Sequence, residues 1–216
     1  MKKSILNKLL FWCVSLLIIR IIHNQNLGFS FLAWNLFLAW IPYAILQVIT
    51  DNTTKFHKWL IIGIAFVFLP NSPYIMTDLF HLKENLAAPI WFDVVMLLSF
   101  TLCGMLYFLL AFEQILMEIK NEIPNTKLHE FIKFVALTLC AYGIYLGRYL
   151  RFNSWDIVTD PLNLLTKIIQ SLTNYHDLTA IFVTLFYGLF LYLLVALYEG
   201  FKSGKYIQTN DQIMSD

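Results

Sequence analysis

Apolar residues in this chain neither alternate nor keep to a narrow stripe. They continue for the length of a membrane-crossing helix and stop at short polar clusters, giving runs at residues 5–22, 29–49, 91–112, 131–150 and 178–197. Roughly 30 Å of hydrocarbon takes about 20 residues at 1.5 Å each, so each run predicts a transmembrane helix. Pro42, inside the second run, predicts a kink.

A sixth crossing is less regular. Residues 59–69 make half a span, Pro70-Asn71-Ser72-Pro73 follows, and apolar residues resume over 74–82. Together 59–80 is long enough to cross, with the break near mid-membrane. Two prolines remove two N–H donors and free the carbonyls of Phe66 and Leu69. Such backbone is tolerated at that depth only where protein or trapped water satisfies it. Ser72 before Pro73 has the form of an N-cap followed by proline, so the second half is expected to start afresh there.

Residues 151–177 are too polar to cross. Asp160-Pro161 opens a stretch in which Leu162, Leu165, Ile168, Ile169 and Leu172 recur at helical spacing, predicting a short amphipathic helix over 161–172 lying on the membrane surface. Met1-Lys2-Lys3 and the following run have the outline of a secretion signal. The run lacks a small-x-small cleavage site and continues to Arg20, which makes it an uncleaved first helix. The expectation is an all-α polytopic membrane protein of about six helices. It has one transmembrane domain over 1–200 and a loose, polar, cytoplasmic tail over 201–216.

Composition sharpens this picture. Only 13% of residues are charged, against roughly 25% in soluble domains. A net charge of +1 gives no argument for nucleic acid as a partner; membrane lipids are the expected one. Cys13, Cys103 and Cys140 all fall inside apolar runs, which offers neither a disulfide framework nor metal-ligand spacing. With six crossings, ten lysines share one side with both termini, and Arg20, Lys83, Arg148, Arg151 and Lys167 share the other. The excess puts both termini in the cytoplasm. All three arginines then fall on the outer side, against the rule.

The outer side also collects the unusual polar groups. Asn71, Tyr74, Asp78 and His81 end the broken span, Asp93 begins the next, and the end of the fifth and its following loop supply Arg148, Arg151, Asn153 and Asp156. Charges at membrane depth are costly and tend to be paired or functional. Asp78 and His81, three apart, share a helix face, where a carboxylate can orient an imidazole base. Asp78, His81 and Asp93 are thus the candidate catalytic residues and the candidate ligands of a metal of unknown identity. The bland alternatives stay open: a solvated Asp78, a loop His81, and an Asp93 that only answers the helix dipole. Arg148 and Arg151 suit phosphate or carboxylate, or an internal ion pair. Asn71, Tyr74, Asn153, Asp156 and Asn35 complete the candidate substrate contacts, and Asn35 is alternatively a donor to the broken backbone. Arg20 is expected to snorkel to the interface. Gly143 and Gly147 are expected to allow close helix packing, and Glu113 and Glu118 to be solvated.

Four stretches carry a family resemblance: Trp34-Asn35 through Pro42-Tyr43, Leu69-Pro70-Asn71-Ser72-Pro73-Tyr74 through His81-Leu82, Trp91-Phe92-Asp93, and Gly147-Arg148 through Trp155-Asp156. Together they resemble the bacterial family known as domain of unknown function 1361, over roughly residues 10 to 200. The resemblance implies a bacterial multi-pass protein of the cell membrane and no activity or cofactor. The residues themselves suggest an enzyme acting on a lipid or lipid-linked phosphate at the outer face. The alternatives are a small-solute transporter or binding protein, favoured by the broken span, and an accessory subunit of a membrane complex.

Overall fold

A computed structural model describes residues 3–83, 89–123, 125–173 and 178–213 of the chain, without the side chains at 3, 83 and 205–213. Lys2 and the side chains of Lys3, Lys83 and Lys205, all used in the charge count, lie outside this part, as do residues 174–177 and 214–216. Every regular element among the described residues is helical. They are α1 (Lys3–Asn24), α2 (Phe31–Leu46), α3 (Lys55–Phe68), α4 (Asn71–Tyr74), a 3-10 helix (Ile75–Lys83), α5 (Ile90–Glu122), α6 (Thr126–Arg148), α7 (Asp156–Thr159), α8 (Pro161–Thr173) and α9 (Thr179–Ile213).

Five stretches are long and apolar enough to cross a membrane: Ser4–Asn24, Lys55–Leu82, Ile90–Glu122, Thr126–Arg148 and Thr179–Gly204. The chain is an all-α polytopic membrane protein. The second expected span, α2, is a shorter apolar helix of 16 residues with Pro42 inside it. Gln114 Nε2 donates to the Leu46 carbonyl at 2.9 Å, satisfying the end of α2 where the apolar run had promised another turn. Beyond its apolar stretch, α5 continues for a further ten residues to Glu122. The tail expected to be loose instead continues α9 as helix to Ile213.

Helix α5 is the axis. On one side it packs with α1 and α2 around Cys13, Leu32 and Phe100; on the other it packs with α3, α6 and α9 around Phe108, Phe112 and Ile144. Large apolar side chains such as Phe11 and Phe186 remain exposed on the flanks, as expected where lipid is the solvent. All three cysteines are buried and free.

The two ends of the bundle differ chemically. One is laced by lysine–carboxylate pairs: Lys58 with Glu118 at 2.8 Å, Lys55 with Glu122 at 2.5 Å, Lys133 with Glu130 and Glu199, and Lys202 with Glu113. Glu113 and Glu118 are therefore paired rather than simply solvated. The other end holds all three arginines.

The break in the third span is gripped from both sides. A Cβ at Gly104 of α5 would lie 2.7 Å from the Ser72 carbonyl oxygen. Gly143 and Gly147 of α6 abut Pro70 and Tyr74, with a Cβ at Gly143 only 2.6 Å from the Pro70 ring. The α6 glycines thus serve close packing, and their partner is the break itself. The freed carbonyls are recovered locally, Phe66 O by the Leu69 N–H at 3.2 Å and Leu69 O by the Ser72 N–H at 3.1 Å. Asn71 Nδ2 donates to Phe68 O at 3.0 Å, and Ser154 Oγ to Val67 O at 3.0 Å. Two expectations are corrected here. Ser72 does not cap a new α-helix: it lies inside the single α-turn of α4, its hydroxyl donates to the Ala39 carbonyl at 2.7 Å, and from Ile75 the span continues as a 3-10 helix. Asn35 does not serve the broken backbone; Asn71 and Ser154 do.

Candidate functional site

The 3-10 helix fixes the site. At three residues per turn, side chains three apart eclipse, so Ile75, Asp78 and His81 form one column. Ile75 enters the core, Asp78 is buried at 1% exposure, and His81 is half-buried above it. Asn35, one turn into α2, donates its Nδ2 to Asp78 Oδ2 at 2.8 Å. Arg148, the last residue of α6, places Nη1 4.0 Å from Asp78 Oδ1 and 3.1 Å from His81 Nε2. A guanidinium only donates, so His81 Nε2 accepts and the ring proton sits on Nδ1. The Arg148 guanidinium also lies 5.1 Å over the Phe80 ring.

Beside this group is a cavity of about 760 Å³. Its polar wall is Asn35, Asn71, Tyr74, His81, Arg148, Arg151 and Asn153; its apolar wall includes Leu38, Phe66, Leu139 and Leu164. Seven of the candidates read from the sequence therefore meet around one space. Arg151 reaches it in an uncommon backbone conformation, with φ of 60°. The turn is closed by Phe152 N–H donating to Leu146 O at 3.1 Å. Among the described residues Arg151 makes no hydrogen bond or ion pair, and it is exposed at the rim.

Not every candidate joins. Asp93 pairs with Arg20 instead: Nε and Nη2 donate to its two carboxylate oxygens at 2.8 and 3.1 Å, and the residues are 2% and 1% exposed. The Arg20 guanidinium sits 4.5 Å from the Phe29 ring centroid. Arg20 therefore does not snorkel, because a buried carboxylate one helix away holds it. Asp156 closes its own turn, accepting from the Asn153 N–H at 2.7 Å and from Thr159 Oγ1 at 3.1 Å, and it does not line the cavity. The metal trio Asp78, His81 and Asp93 is not assembled: among the described residues no three His, Cys, Asp or Glu groups come together to hold an ion. Asp78 is not solvated, and His81 belongs to the 3-10 helix, not a loop.

Sequence reading gave Ser154 no role, yet its hydroxyl links the cavity wall to the break, accepting from Asn71 Nδ2 at 2.9 Å. A lone serine in a polar loop carries no signal for that. The Arg20–Asp93 pair did have one: opposite charges at the same end of two apolar runs.

A family model described as "Protein of unknown function (DUF1361)" matches residues 34–194. No curated protein and no solved structure matches the chain.

Proposed function

The chain belongs to the DUF1361 family, and from that premise we propose that it is a membrane enzyme whose cavity takes the phosphate of a lipid or lipid-linked substrate. The reading places it in a bacterial cell membrane with both termini in the cytoplasm, so the arginine end faces outward, as the ten-to-five division of basic residues supports. The carrying observation is Arg148: a guanidinium on the cavity wall that leans on a neutral imidazole and stands 4.0 Å from its carboxylate. Such a group is charged and incompletely neutralised, and it suits bidentate capture of a phosphate. Arg151, at the rim, supplies a second cation.

Chemistry follows from the same contact. When phosphate draws Arg148 away, His81 Nε2 loses its donor and its lone pair becomes available as a general base. The base accepts the proton of a water or alcohol hydroxyl as its oxygen bonds to phosphorus; the ester P–O bond breaks, the same proton passes from the imidazolium to the leaving oxygen, and the guanidinium balances charge on the phosphate throughout. Asp78, held by Asn35, keeps Arg148 within reach of both positions. The transporter alternative is weaker because the carbonyls released by the broken span are spent inside the protein, leaving few to coordinate a solute.

The test is complementation of cells lacking the gene, with membrane lipid and cell-wall composition as the readout. Arg148→Ala and Asp78→Ala, checked for normal membrane levels, are expected to reproduce the null composition. Wild-type composition with both variants would remove the enzyme reading.

A further inference from the structure

The same cavity runs on from the cationic group into an apolar channel, and we infer that this channel is a subsite for one hydrocarbon chain of a phosphate-monoester lipid, reached sideways from the bilayer. The inference rests on the phosphate reading above and adds the path of the chain. From Arg148 to Leu139 the α6 wall descends nine residues, about 13 Å. Over that distance the opposite walls are Phe66 and Val67 of α3, Leu38 of α2 and Leu164 of α8. Polar atoms nearby are already committed, since Asn71 and Ser154 serve the broken backbone.

The channel opens on the flank. Trp34 and Leu139, both in its lining, are 54% and 51% exposed, and Leu139 lies midway along a helix apolar enough to cross a membrane. Helices α3 and α6 scarcely touch each other, which leaves the space between them. Beside it α8 is pinned to α6 by the Tyr142–Ser171 hydroxyl pair at 2.7 Å and turns Leu162, Leu165, Ile169 and Leu172 outward, so the opening is flanked by a helix with an apolar outer face suited to the membrane boundary. A peptide would bring backbone N–H and C=O groups that these walls cannot satisfy. A free phosphate would leave the apolar walls without a use. One alkyl chain tethered to a phosphate matches both ends.

The experiment uses the full chain in phosphatidylcholine nanodiscs containing a phosphatidic acid with a photoactivatable diazirine in its chain. Crosslinked residues are then mapped by mass spectrometry. Crosslinks are expected to concentrate on Val67, Leu139 and Leu164. They should fall at least fivefold in Leu139→Trp, in Arg148→Gln, and when the diazirine probe carries a choline head. Leu164→Trp, from the facing wall, should give the same loss. Crosslinks spread as densely over outward residues such as Phe186, or unchanged by these substitutions, would overturn the channel. Inorganic phosphate, titrated by calorimetry against wild type and Arg148→Gln, separates the two failures. Arg148-dependent phosphate binding without channel crosslinks defeats the chain subsite alone. Absence of both defeats the phosphate reading as well.

Discussion

The Arg20–Asp93 pair gives the most quantitative test, because sequence reading made Asp93 a catalytic candidate and the structure makes it a tie between α1 and α5. Both donors lie within 3.1 Å of the carboxylate, and both residues are at most 2% exposed. At about 3 Å and an effective dielectric near 20, the Coulomb attraction is about 5 kcal/mol. Desolvating the two charges offsets most of that, so the net worth of the pair is small while the cost of breaking it is large. Arg20→Met leaves a buried carboxylate with only the start of α5 to favour it, and a loss of about 3–5 kcal/mol is expected. Asp93→Leu takes the carboxylate from a buried guanidinium and should cost a similar amount. The double variant removes both charges, and Met on Phe29 restores a sulfur–aromatic contact. Its stability should return to within about 1 kcal/mol of wild type or exceed it. Reversible unfolding in mixed micelles, run as a double-mutant cycle, measures all three, and complementation measures function. Near-additive losses, or a stable double variant without function, would refute the structural assignment of Asp93.

Three further outcomes follow from the geometry. Gly104→Ala pushes a Cβ to 2.7 Å from a backbone carbonyl that cannot rotate away, so it should destabilise by about 1–3 kcal/mol; Gly200→Ala, with nothing within 4 Å, should be neutral or stabilising by up to about 1 kcal/mol, both read from thermal midpoints. Asn35→Leu takes the donor from a buried carboxylate and should cost about 1.5–3 kcal/mol by the same unfolding assay, with loss of complementation beyond what Leu38→Met produces. The native cysteines are buried, so single cysteines can report sidedness: an impermeant thiol reagent added to intact cells should label Leu27→Cys and not Asn125→Cys, and the reverse pattern would invert the proposed orientation.

Much of the architecture is written in the chain because a bilayer permits few solutions. Length of apolar run fixes where helices can cross, paired prolines fix where one must break, and glycines four apart mark a face meant for close approach. Asn35, Asn71, Tyr74, His81, Arg148, Arg151 and Asn153 share one end of the bundle for the same reason, since alternating crossings return every second loop to one side. Neighbour identity is what the chain leaves open. Helical period says which face a residue occupies but not which helix lies opposite, and charges at one depth are interchangeable on paper. Only tertiary packing assigned Asp93 to Arg20, drew Asn35 to Asp78, turned Asp156 back on its own loop and set Arg148 against His81. It also decided that, after the single α-turn of α4, the broken span goes on as a 3-10 helix. That tighter winding is what stacks Asp78 directly beneath His81.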